Sequence, residues 1–341
     1  MNAARSRTVR TDRLATYVRE RGEGVPVLFV HGNLSDGSVW DEQLSLLPDG
    51  LHGIAPDLRG FGRSEAAPVD ATRGLGDFRD DLSALLDALG AGATHLVGHS
   101  LGGGVVMDFA IHHPERVRTL TVVAPASPYG FGGTGAGGRP STPDFAGSGG
   151  GTANPELVKL IAEGDTSDQH PLSPRNVVRS LYFPSPEAVR DEEALTRGIL
   201  ATHIGDGNYP GDSEPSANWP GMAPGTRGVL NALSPSGSAG TPCPGPAAAP
   251  RAVGARRQGR HRVRHLHLRA RAPRRARVRP RVARCGRLPR PADGPADQGR
   301  ADQVRSSHRA RVRRHRPLPY TERPEEFAAL LHAHLSRTPA I

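Results

Sequence analysis

Five residues carry the sharpest chemical signal in this chain: Gly98-His99-Ser100-Leu101-Gly102, directly after the apolar run Thr94-His95-Leu96-Val97. The pattern predicts a strand, a glycine-flanked serine, and a helix opening at Leu101 and running past Phe109. Such a strand–turn–helix is a nucleophile elbow, whose tight turn pushes the serine hydroxyl out at the end of a sheet. Small residues are needed two before and two after the serine because the turn is so tight. The helix aims its first backbone N–H groups at the same point, where they can hold a developing oxyanion. Ser100 is therefore the candidate nucleophile.

Elements able to position that serine are legible on both sides of it. Thr8–Arg10 and Leu14–Arg19 alternate weakly, as in two opening antiparallel strands, and Val25–Val30 is a continuous apolar run. Such a run marks a strand buried on both faces of a parallel sheet. Gly53–Pro56 is a shorter run of the same kind. Leu75, Phe78, Leu82, Leu85, Leu86 and Leu89 recur at helical spacing, and Gly90 is placed to end that helix. A strand over Arg118–Ala124 follows the elbow helix. Alternating strands and helices predict an α/β fold, a mostly parallel sheet with helices on both faces.

Three further motifs surround the elbow: His31-Gly32-Asn33, Asp57-Leu58-Arg59-Gly60-Phe61-Gly62-Arg63-Ser64, and His112-His113-Pro114-Glu115-Arg116-Val117. Their order and separations, together with Gly98–Gly102, resemble the α/β-hydrolase fold superfamily. Pro319–Phe327 is similar to the segment that follows this family's catalytic histidine. The resemblance covers about residues 14–235 and 319–337. It implies Ser100 as nucleophile, with the Leu101 N–H and an N–H at Asn33 or Leu34 as oxyanion hole. It also implies His31, Gly32 and His99 beside the site, a small-molecule carbonyl substrate, and no metal or cofactor. A serine at the elbow argues against the branches that use an aspartate there, the haloalkane dehalogenases and epoxide hydrolases. His31 and His99 fit packing or loop-bracing roles better than proton-carrying ones; Asp57 and Arg59 fit bracing of a turn; Asp108 fits polar surface.

The rest of the chain divides unevenly. Residues 1–127 read as the core. Residues 128–235 read as a glycine-rich linker or mobile loop (Pro128–Thr152) and then a helical lid, with helices over Pro155–Ala162, Pro174–Leu181 and Ser185–Thr202 and an irregular Asn208–Thr226. The lid's Tyr182, Phe183, Tyr209 and Trp219 are candidates to line an apolar acyl site or to pack the lid. Residues 236–319 lack Phe, Tyr, Trp, Ile, Met, Asn, Lys and Glu altogether. Such a stretch cannot bury enough apolar surface to offset its ordering entropy, so disorder is expected there. Residues 320–341 resume ordinary sequence with a helix from Pro324.

The formal charge of +10 comes wholly from one place. Arg251 to Arg316 holds 23 Arg and three acids, a local +20, which leaves −10 for everything else. Twenty net positive charges would bind phosphate backbones with steep salt dependence. Lacking Lys and aromatics and ending in mid-fold, the stretch argues against a nucleic-acid tail. No apolar leader or 18-residue apolar run occurs, so a cytoplasmic protein without membrane spans is expected. Oligomeric state is left open.

A serine nucleophile needs a histidine base and an acid to orient it. In the family both should fall between about 245 and 318, near Gly259 and Pro317, yet neither motif is written there. A reading-frame error in the coding sequence accounts for this. Arg257-Gln258-Gly259-Arg260 read one nucleotide later permits Ala, then Lys or Arg, then Asp. Arg316-Pro317-Leu318 permits Gly-His-Cys, returning to frame at Pro319-Tyr320. The encoded function is then a serine hydrolase of a small ester, lactone or related carbonyl compound, impaired in the chain as written. The alternatives are a hydrolase core with a true cationic insert, and a non-catalytic member of the fold.

Overall fold

The apolar runs form the centre of a six-stranded sheet. The structure, a computed structural model, describes residues 5–127, 129–135, 138–183, 189–238 and 318–336. Strands β1 (Arg5–Arg10), β2 (Ala15–Arg21), β3 (Val25–Val30), β4 (Leu51–Pro56), β5 (Thr94–His99) and β6 (Val117–Val123) lie in the order β1-β2-β4-β3-β5-β6. The first two pairings are antiparallel; β3–β4, β3–β5 and β5–β6 are parallel. All six residues of β5 are buried, so both faces of the sheet are covered at its centre. This is the α/β architecture that the strand–helix alternation predicts.

Helix α1 (Asp41–Ser45) follows β3, α2 (Gly76–Ala88) precedes β5, and α3 (Leu101–His112) follows it. Phe78, Leu82, Leu85 and Leu86 form the buried stripe of α2. Each contributes about 1.5–3 kcal/mol over an exposed position. The charged side of the same helix is not idle: Asp81 takes the Arg59 guanidinium through Nε and Nη2, both at 2.7 Å, and Arg13 Nε at 3.0 Å.

After β6 comes an insertion with α4 (Pro155–Ala162), α5 (Pro174–Val177), α6 (Glu192–Leu200) and α7 (Val229–Ala232). Asn154, Ser173 and Asp191 cap the first three by accepting from Glu156, Asn176 and Ala194 N–H groups. The helix expected over Pro174–Leu181 is α only to Val177 and then widens into a π-turn to Tyr182. Of the helix expected over Ser185–Thr202, residues 185–188 lie outside the described residues. Asn208–Thr226, expected to be irregular, contributes to two small ladders: Tyr209–Pro210 with Ile204–Gly205, and Ser213–Pro215 with Met222–Pro224. The glycine-rich stretch carries its own hydrogen bonds, Ser141 N–H to Gly133 O at 2.8 Å and Gly135 N–H to Arg139 O at 2.9 Å.

The insertion is joined to the core through main-chain bonds. Gly62 N–H donates to Ala201 O (2.9 Å), His203 N–H to Gly60 O (3.0 Å), Val69 N–H to Gly207 O (2.8 Å) and Ala71 N–H to Thr226 O (2.9 Å). The chain re-enters the described structure at a buried Leu318, followed by α8 (Pro319–Glu322) and α9 (Pro324–Leu335). Phe327, Leu331 and Leu335 are the buried face of α9. Of the stretch 236–319, expected to be disordered, residues 236–238 complete a short helix, Pro235–Ser238, and the expectations for 239–317 fall outside the described residues. Among those residues no helix is long and apolar enough to cross a membrane.

Candidate active site

The sheet register sets the site. Val30 of β3 pairs with Gly98 of β5, so His31-Gly32 and His99-Ser100 leave the sheet side by side. β3 runs on to β4 at one side while β5 lies at the other, and a crevice opens at such a reversal, at the carboxyl ends of the strands.

Ser100 stands at φ +52° and ψ −115°, a conformation that costs a residue with a Cβ on the order of 1–3 kcal/mol. Its backbone is held on both sides. The N–H donates to Val123 O at 3.0 Å, and the carbonyl accepts from Ala126 N–H at 2.9 Å and Gly104 N–H at 3.1 Å. A Cβ on Gly98 would strike the Gly102 carbonyl and come within 2.6 Å of Val106 Cγ2; one on Gly102 would strike the Val30 and His31 carbonyl oxygens. Gly103 is equally constrained, 2.8 Å from Pro125 Cβ by the same measure, a requirement the five-residue motif does not include. A Cβ on Gly32 would sit 3.1 Å from Ser100 Cβ and 2.8 Å from His99 Nδ1. The loop after β3 therefore approaches the serine through a glycine.

His31 is fully buried, and both ring nitrogens face backbone. Nε2 accepts the Leu58 N–H at 2.9 Å, which leaves Nδ1–H to donate to Gly32 O at 2.7 Å. Burial holds its pKa below the ordinary value, against the pull of Asp57. The ring ties the loop after β3 to the loop after β4. Asp57 continues that bracing, accepting from Gly37 N–H (2.8 Å), Arg63 N–H (2.9 Å) and Arg19 Nη1 (2.7 Å). Burial raises the Asp57 pKa although Arg19 opposes it. Leu34 adopts φ +50°, and Asn33 Oδ1 is buried without a hydrogen-bond partner among the described residues. Asp108 pairs with Arg79 of α2 at 3.0 Å.

His99 is buried, its ring edge-on to Tyr320 at 5.4 Å. Tyr320 stacks on Trp40 at 4.0 Å, and Gln43 Nε2 donates to the Tyr320 and Pro324 carbonyls at 3.0 and 3.1 Å. Sequence reasoning missed Trp40 and Gln43. The available signal was Asp36-Gly37-Ser38, where the Asp36 carboxylate caps the short turn Gly37–Trp40 by accepting Ser38 N–H at 2.8 Å. Of the four aromatic candidates in the insertion, Phe183 and Tyr209 are buried, Trp219 is 84% exposed, and Tyr182 donates its hydroxyl to Leu34 O at 2.9 Å. The positions expected for acid and base, near Gly259 and Pro317, lie outside the described residues.

The α/β hydrolase fold family model matches residues 25–147. The chain is 36% identical over 116 residues to a 2-hydroxymuconate semialdehyde hydrolase of Pseudomonas sp. (strain CF600), covering 33% of this chain and 41% of that one. It is 38% identical over 114 residues to epoxide hydrolase 2 of Siraitia grosvenorii, covering 33% and 36%. Among solved structures, an epoxide hydrolase from Vigna radiata matches with 33% identity, TM-score 0.34, and coverage of 36% and 38%. The chain thus spans about two fifths of the length of the curated relatives it matches. Residues 25–147, with the strand order and the serine turn described above, have the α/β-hydrolase fold.

Proposed function

We propose that residues 5–238 and 318–336 are the framework of a serine hydrolase for a small ester, lactone or related carbonyl compound. Ser100 is the nucleophile and forms an acyl-serine intermediate. The Leu101 N–H and an N–H at Asn33 or Leu34 form the oxyanion hole, each such donor worth on the order of 2.7–4 kcal/mol to the transition state. The insertion is the lid. One observation carries this reading: Ser100 is held at φ +52° between glycines that admit no side chain. Strained backbone of this kind persists where surrounding structure imposes it.

Acid and base are not written where the family places them, so the chain as it stands is an impaired enzyme. Serine hydrolases lacking a triad member keep on the order of 10³–10⁴-fold catalysis over water from the oxyanion hole and binding. The test is a serine-directed fluorophosphonate followed by peptide mass spectrometry, beside p-nitrophenyl acetate turnover. A slow adduct on Ser100, absent in Ser100→Ala, supports the reading. Absence of any adduct removes Ser100 as nucleophile, and rapid Ser100-dependent turnover removes the claim of impairment.

A further inference from the structure

We infer that Tyr182 is a positioning residue for the oxyanion loop, acting from the insertion on the backbone rather than on substrate. The inference rests on the oxyanion-hole reading proposed above. The loop from His31 to Trp40 is anchored at both ends by the core: His31 takes the Leu58 N–H, and Asp57 takes the Gly37 N–H. Its middle is gripped from elsewhere. The Tyr182 hydroxyl donates to Leu34 O at 2.9 Å, and Leu34 is the residue at φ +50°. An L-residue with a branched side chain rarely rests there, and it stays only where its surroundings over-determine it. Fixing the Leu34 carbonyl fixes the peptide that follows Leu34. It thereby removes the rotation that would let the Leu34 backbone relax to negative φ and turn its N–H.

The donor is itself held. Tyr182 ends the π-turn Val178–Tyr182, and the Arg179 guanidinium within that turn pairs with Glu192 of α6 at 2.8 Å. Helix α6 passes close to the loop it serves, since a Cβ on Gly198 would lie 3.6 Å from the Asp36 nitrogen. Placement of the insertion and the conformation of Leu34 are therefore coupled through one phenol.

The experiment compares the full chain with its Tyr182→Phe variant by hydrogen exchange, alongside p-nitrophenyl acetate kinetics. The lost bond predicts exchange about three- to ten-fold faster at the Leu34–Asp36 amides, with α6 and β3 unchanged. Where Ser100-dependent turnover is present, kcat falls by a similar factor at constant KM. Unchanged exchange across the loop overturns the inference, as does a loss of protection spread over the whole insertion. A wild-type chain without Ser100-dependent turnover defeats the hydrolase reading alone, because the exchange comparison still decides the role of Tyr182.

Discussion

Trp40 and Tyr320 stack at 4.0 Å with their rings 21° apart, joining the turn after β3 to the start of the last helical segment. Phe327 closes on Tyr320 from another side at 5.8 Å, and Tyr320 meets the His99 ring edge-on. The C-terminal segment thus packs directly against the residue that precedes Ser100. Burial drives the Tyr320 phenol well above its ordinary pKa, with the neighbouring Tyr182 adding to the shift.

Gln43 secures that contact through two carbonyl oxygens of the same segment. Gln43→Leu keeps the volume and deletes both donors. Pro324 O keeps its place in the α9 ladder, whereas Tyr320 O is left unpaired at a cost of about 1–3 kcal/mol, so a loss of that size is expected. Urea unfolding measures the total, and hydrogen exchange over 318–336 shows whether the segment loosens first.

The serine turn predicts a sharp contrast among glycines. Gly98→Ala and Gly102→Ala each place a Cβ against backbone oxygen and should destabilise by about 2 kcal/mol or more. Gly92 has nothing within 4 Å of its would-be Cβ, and Gly92→Ala should stay within about 0.5 kcal/mol. Thermal denaturation of the three variants suffices to separate these cases.

Acid should weaken the fold before carboxylates titrate. Burial, aided by Arg118, pushes the His95 pKa down to about 4, while its Nδ1 faces Thr119 Oγ1 at 2.8 Å. The unfolded chain therefore binds the proton first. This contribution is complete above about pH 6.5 and is lost as pH falls towards 4. Between pH 7.5 and 5 the loss is about 2 kcal/mol from His95, and His31, shifted the same way, adds to it. Denaturant melts at the two pH values test this, with His95→Gln expected to flatten the difference.

Resequencing codons 230 to 325 of the coding DNA decides the missing acid and base. The expected outcome is a one-base gain or loss near each end of the arginine-rich stretch, restoring Asp near position 259 and His near 317. An unaltered sequence leaves a hydrolase framework with a genuinely cationic insert.

Where a buried stripe or a steric collision repeats a pattern along the chain, the sequence announced it. The Val25–Val30 strand and α4 fall on the residues their patterns mark, and α2 falls within one residue of its marked start and end. The glycines at 98 and 102 were legible because their requirement is local. Trp40–Tyr320 and Tyr182–Leu34 were not, since each partner is ordinary in its own neighbourhood and the pairing exists only after the sheet closes. The short ladders at 204–224 escaped for a related reason. Two or three paired residues give too little alternation to rise above a Gly- and Pro-rich background.

The junction between insertion and core has an evolutionary consequence. Gly62, His203, Val69 and Ala71 all attach through peptide groups, so the seam is indifferent to most side chains along it. Exposed positions such as Ser213, Glu214 and Met222 can diverge without unstitching the seam, while the buried Tyr209 and the left-handed Gly211 keep the backbone path. An attachment of that kind can take on new outward-facing side chains while the strained serine turn stays as it is.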